Sequence, residues 1–281
     1  MTFTRATAQH CFLLSWLVFT MAGVQKQPPT DSAAEIMRVL QCSKRLQNLL
    51  AEAKSGTQYR IDFVALPQGD TSYLGQTTLN EGADRNGVTV HIAPNLSDQL
   101  TENLLAHELF HILLDRQGFP TDTQALTLVL QQANADQLAI LKATAIGLVN
   151  CYADARIDKL MSARGFSPKM INRREANLKI EQGRKTQSPP PLQNFALWTK
   201  YAALNSFCLS IRARDFKMKE VFDAWKRGYP TLEADVAQLR QKAPHHCEDA
   251  PGCIEATKTL RSAAGFDGTI QFYDPLAQSW K

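Results

Sequence analysis

Leu104-Leu-Ala-His-Glu-Leu-Phe-His-Ile-Leu-Leu114 is the stretch on which the reading of this chain turns. With Leu100 ahead of it, a helix here is apolar nearly all round and belongs in a core. Residues four apart on an α-helix lie one above the other, so His107 and His111 can both aim a ring nitrogen at one ion. Glu108 is turned about 100° from His107, which lets its carboxylate reach a molecule beside that ion without ligating it. Two imidazoles and a carboxylate buried without partners would cost several kcal/mol, and a bound cation satisfies all three.

Farther along, Asn150-Cys-Tyr-Ala-Asp-Ala-Arg-Ile-Asp-Lys159 offers two carboxylates, Asp154 and Asp158, one helical turn apart. Read alone, they are either a ligand and its support or a solvated face paired with Arg156 and Lys159. The segment His107-Glu-Leu-Phe-His111 resembles the His-Glu-x-x-His motif of the zincin metallopeptidases. Leu114 and Gln117 stand where the metzincin branch continues with glycine and a third histidine, which excludes that branch. The downstream pair is similar to the Glu-x-x-x-Asp of the gluzincin branch, whose glutamate binds zinc and whose aspartate orients the first histidine. The resemblance covers roughly residues 59 to 163, and its specific part is the His-Glu-x-x-His helix.

What the resemblance implies is a zinc ion held by His107, His111 and Asp154, with Asp158 hydrogen-bonded to the outer ring nitrogen of His107. Glu108 would be the general base for water attacking a peptide or protein substrate. The departure is aspartate where gluzincins carry glutamate, so the second helix must pack closer, an approach that Gly147, two turns earlier, would permit. His91, His245, His246 and Cys151 are the other candidates for the third ligand. Tyr152, Arg156, Tyr201, His245, His246 and Tyr273 are all chemically able to stabilise an oxyanion, and spacing does not rank them. A second reading, motivated by the Asp-for-Glu departure, is a non-catalytic zincin-fold envelope binding protein with a relic or structural metal. Glu108 argues against it, because a structural site has no use for an unliganded carboxylate next to its first ligand.

Ahead of the motif, residues 59–66 and 87–93 read as strands, the second alternating Val88, Val90 and Ile92 on one face with His91 on the other. That order resembles the upper part of zincins, where an edge strand pairs with an extended peptide. The polar connection 67–86 is long enough to rim a cleft. After the motif, helical spacing runs through 123–134, 136–164, 168–183, 195–211, 217–227, 231–242 and 253–264, with an extended linker at Gln187-Ser-Pro-Pro-Pro-Leu192. The expected fold class is α+β and predominantly helical: a zincin-like lobe over residues 25–165, with a small sheet and the active-site helix, then a helical lobe over 166–281.

Residues 1–24 read separately. Arg5 precedes the apolar run from Cys11 to Val24, too short for a comfortable span, and Thr20 and Ala22 give a small-x-small cleavage pattern. This is a signal peptide, which implies a secreted or periplasmic protein with no stable membrane insertion after cleavage. Export makes disulfides expected: Cys247–Cys253 across a Pro-Gly turn, Cys42 with Cys208 as a further pairing, and Cys151 as a buried thiol. The net charge of +4, with basic and acidic residues interspersed and no aromatic-interleaved basic stripe, gives no nucleic-acid footprint.

Overall fold

Ser97 starts the central helix α3 (Asp98–Arg116): its side chain accepts from Leu100 N at 3.3 Å, and Asp98 and Arg116 place opposite charges at the two ends of the dipole. Gly118, at φ +80°, ends it, with Phe119 N bonded to Leu114 O and Gly118 N to Asp115 O, a Schellman closure. Between these caps Leu104, Leu105, Ala106, Leu109, Phe110, Ile112 and Leu114 are all buried, as an apolar-all-round helix requires.

The computed structural model describes residues 32–55, 60–67, 74–79, 87–120, 127–128, 134–185, 192–213, 217–274, 276–277 and 279–280. The expected signal peptide lies outside the described residues, as does all but the last residue of the proline-rich linker. The chain begins with α1 (Ser32–Cys42) and α2 (Lys44–Lys54), followed by β1 (Arg60–Ala65), β2 (Gly75–Leu79) and β3 (Gly87–Ile92). These strands form one sheet in the order β1-β3-β2, with β1 parallel and β2 antiparallel to β3, so β2 is an edge strand. The sheet packs on α3 through β2 and β3, and α1 and α2 cover the same helix from the other elements' flank. Ser43 caps α2, and Arg45 grips Glu102 of α3, Nε to Oε1 at 2.8 Å.

After α3 come β4 (Thr127–Leu128), α4 (Ala135–Ala163), α5 (Pro168–Lys185), α6 (Leu192–Ala213), α7 (Met218–Trp225), α8 (Leu232–Lys242) and α9 (Ala250–Ala263). Short ladders close the chain: β5 (Ile270–Gln271) pairs with β4, and β6 (Tyr273–Asp274) pairs with β7 (Ser279–Trp280). The α+β, predominantly helical class therefore holds, and α4 to α9 fall where the spacing placed them. Two expectations fail. Residues 127–128 form a strand rather than part of a helix, because their partners, Gln271 and Ile270, lie far along the chain, beyond what local periodicity records. The segment read as polar connection contains β2, whose Thr77 is buried.

Helix α4 is the spine of the later half. Asn134 and Gln137 form a reciprocal capping box at its start. Helices α3, α6 and α9 pack along it, and α5 packs on α3, so the elements after residue 165 sit directly on those before it; Asp31–Lys281 form one compact unit. Cys151 of α4 is bridged to Cys208 of α6, with Cα atoms 5.1 Å apart, and Cys247 to Cys253, 5.0 Å apart. The second bridge is the expected one. The first corrects the reading twice: Cys208 pairs with Cys151 rather than Cys42, which is exposed and unbridged, and Cys151 is not a thiol. Helix-to-helix packing brings α4 and α6 side by side at those positions, a juxtaposition invisible in either segment alone.

Candidate metal centre

His107 and His111, each at least 95% buried, point their Nε2 atoms at one another across 3.2 Å. Asp154, from α4, brings Oδ1 to 3.4 Å from His107 Nε2 and 3.2 Å from His111 Nε2. Three acceptor-capable atoms so close need something positive between them, either a proton or a metal. The triangle also has the right size for a metal: donors about 2.0–2.1 Å from an ion at tetrahedral angles lie about 3.3–3.4 Å apart. His107, His111 and Asp154 are thus a group able to hold a metal ion, joined from α3 and α4.

Burial alone would raise the Asp154 carboxyl, but Arg212 and the two imidazoles more than offset it and hold the group well below the usual carboxylate range. Arg212, near the end of α6, is the centre of this network. Its Nη1 reaches Asp154 Oδ2 and Glu175 Oε2, both at 2.9 Å, and its Nε reaches Asp158 Oδ2 at 3.2 Å. Asp154 therefore divides its oxygens, Oδ1 facing the histidines and Oδ2 facing the guanidinium. Burial works against the Arg212 charge, and Asp158, Glu175 and Asp154 outweigh it. Three carboxylates share this one guanidinium, which leaves the cluster with more acidic than basic groups beside the point where a metal ion could sit. Glu175 registers the imbalance: burial raises its carboxyl, Arg212 pulls it down, and Asp154 and Asp158 push it up again, with a net rise.

Glu108 is buried beside His107 and is held by the edge strand. Thr77 Oγ1 donates to Glu108 Oε2 at 2.7 Å, and Gly75 lies so near that a Cβ there would sit 2.6 Å from Glu108 Oε1. A cavity of about 170 Å³ opens beside Asp154 between Leu74 and Gly75 on one side and α4, α5 and α6 on the other, with Asn150, Glu175 and Arg212 in its wall.

The role expected of Asp158 is not the one it has. Its Oδ2 takes hydrogen bonds from Asn172 Nδ2 at 3.0 Å and from Arg212 Nε, while His107 Nδ1 has no hydrogen-bond partner among the described residues. One turn beyond Asp154, Asp158 faces α5 and α6 rather than α3, so it anchors Arg212 and reaches the ligand only through it. Gly147 is also not what lets α4 approach, since a Cβ there would meet only Asn205 Oδ1 at 3.7 Å, an ordinary contact. Of the rival ligands, Cys151 is consumed by its bridge, His91 lies on β3 with Nε2 3.2 Å from Thr78 Oγ1, and His245 and His246 line a separate cleft with Asp158 and Lys159. Among the oxyanion candidates, Tyr152 donates to Pro244 O, Arg156 pairs with Glu248, and His245 Nε2 meets Arg240 O. Arg212, Glu175, Thr77 and Gly75 were missed in the sequence. The one signal for Arg212 was an arginine closing an apolar helical run, Phe207-Cys-Leu-Ser-Ile-Arg212. No protein-family model, no characterised protein and no solved structure matches this chain.

Proposed function

We propose that this chain is an exported zinc-dependent metallopeptidase of gluzincin-like type, acting on peptides or proteins. The observation that carries the reading is the convergence of both motif histidines and a distant aspartate on one point with ligand-to-ligand spacing, beside a buried glutamate that is not part of the triangle. Zinc suits two imidazoles and a carboxylate; bound there, it would polarise a carbonyl and bring the pKa of a water down toward about 7. Glu108 takes the proton from the attacking water and passes it to the leaving nitrogen. Thr77 holds the Glu108 carboxylate in place for both transfers. Arg212 donates to Asp154 Oδ2 and so leaves Oδ1 to face the histidines, the kind of outer hydrogen bond that orients a ligating carboxylate. The two disulfides agree with an oxidising compartment and so with export.

The test is a comparison of Glu108→Gln with His107→Ala and His111→Ala. Glu108→Gln should keep one zinc per chain and lose at least about 10²-fold in peptide hydrolysis. The histidine variants should lose the metal itself. Full activity in Glu108→Gln, or stoichiometric zinc in either histidine variant, would defeat the proposal.

A further inference from the structure

We infer that the Cys151–Cys208 bridge is a positioning element for the metal ligand, holding α4 and α6 in the register that aims Asp154 at the two histidines. The inference rests on reading Asp154 as a metal ligand. Cys151 stands three residues before Asp154, and Cys208 four residues before Arg212. At 1.5 Å per residue these are offsets of about 4.5 and 6 Å along the two helices, one turn and the same face in each case. The covalent tie and the Arg212–Asp154 ion pair are therefore consecutive rungs between the same two helices.

Both sulfurs and both members of the ion pair border the same cavity beside the ligand triangle. Among the described residues, the bridge is the one covalent tie between α4 and α6. Asn205 precedes the bridge along α6, and its Nδ2 bonds within its own helix, to Tyr201 O. Arg212 must serve Asp154, Asp158 and Glu175 at once, at 2.9 to 3.2 Å. A slip of about 1 Å between the helices would lengthen at least one of these beyond hydrogen-bonding distance. Both α4 carboxylates, Asp154 and Asp158, are exposed to such a slip, and any release of Asp154 Oδ2 removes the constraint that turns Oδ1 toward His107 and His111. The Cys247–Cys253 bridge ties the segment before α9 to that helix's first turn and includes neither residue, so it is the natural control.

The experiment measures zinc affinity by competition with a chelating dye for the full mature chain, for Cys151→Ser/Cys208→Ser, and for Cys247→Ser/Cys253→Ser. Folding is checked by circular dichroism. The first pair should bind zinc about 10- to 100-fold more weakly while folded, and the control pair should stay within about threefold of the parent. Adding Arg212→Lys to the first pair should cost less than the two separate losses combined, because both act through the same aspartate. Equal weakening in the two cysteine pairs, unchanged affinity in a folded Cys151→Ser/Cys208→Ser, or fully additive losses would each overturn the inference. If the serine pair does not fold, Cys151→Ala/Cys208→Ala replaces it; failure of both would assign the bridge to the whole bundle and overturn the inference too. A parent chain that binds no zinc would instead remove the metal reading on which it stands.

Discussion

Replacing Gly75 with alanine changes one hydrogen for a methyl and leaves the proposed ligands and base unsubstituted, yet it should disable the site by crowding Glu108. The added Cβ would lie 2.6 Å from Glu108 Oε1, 3.2 Å from Cδ and 3.3 Å from Cγ. That is roughly 0.8 Å inside ordinary van der Waals contact, so the carboxylate must withdraw. Its other oxygen is tied to Thr77 Oγ1 at 2.7 Å on the same strand, which leaves little freedom to rotate away without breaking that bond. Gly75 does not have a positive φ, so alanine adds no backbone strain, and overpacking of this kind costs about 1–3 kcal/mol, a loss the fold can bear. A general base displaced by most of an ångström loses about 10- to 100-fold in rate. The assay is kcat/KM on a quenched fluorescent peptide library alongside zinc content and urea denaturation. Activity should fall while zinc stays at one per chain. Unchanged kcat/KM would refute the placement of Glu108 against β2, and loss of zinc together with activity would refute the separation of base from ligands.

Asp154→Glu should weaken zinc binding about 10- to 100-fold rather than restore a gluzincin ligand, because Oδ1 already lies at ligand spacing from both histidines and an extra methylene overshoots; a dye-competition titration showing equal or tighter binding would contradict this. Arg212→Met should destabilise the metal-free fold by about 3–5 kcal/mol in denaturant unfolding, since three carboxylates lose their shared cation, and a loss under 1 kcal/mol would show that the cluster is not held as described. Glu102 sits below its ordinary value of 4.5, chiefly through its hydrogen bond from Arg45, with burial opposing and Ser43 assisting. A depressed carboxyl stabilises the fold fully above that ordinary value, and the contribution fades as pH falls through the lowered one, so Glu102→Gln should flatten the acid limb of stability below about pH 4.5 and leave its shape at pH 7 unaltered.

The parts of this site that were legible are those whose chemistry is written within one helix. His107, Glu108 and His111 declare a shared face by spacing alone, and the apolar run around them declares its burial. Asp154 was legible only through likeness to a second motif. Asp158 shows the limit of that likeness: the spacing was right, but the side chain looks toward Asn172 and Arg212. Edge strand β2, Gly75-Gln-Thr-Thr-Leu79, has a loop's composition, and what makes it a strand is its pairing with β3 and the burial of Thr77 against Glu108. Helix α1 buries Ile36, Val39 and Leu40 at helical spacing, but no ligating or acid–base side chain marks that face. Arg212 and Glu175 belong to helices 54 and 17 residues beyond Asp158, and only packing shows that they meet.

The substitution that weakened the likeness to gluzincins is the one that the rest of the site explains. A carboxylate on a short side chain cannot reach far, so α4 must lie close to α3 at residue 154, and it does, with Oδ1 within 3.4 Å of both Nε2 atoms. Close approach buries the carboxylate and raises the cost of its charge, which has to be met from the other side. Arg212 meets it there, itself buried and itself requiring counter-charge, which Asp158 and Glu175 supply. Each step leaves a residue of charge for the next, met in part where burial and the neighbouring aspartates raise the Glu175 carboxyl, and the remainder falls beside His107, His111 and Asp154. A merely structural polar cluster could have stopped at one arginine and one aspartate. Three carboxylates around a single guanidinium, with Asp154 Oδ1 on the side facing two imidazoles, leave a group able to hold a metal ion.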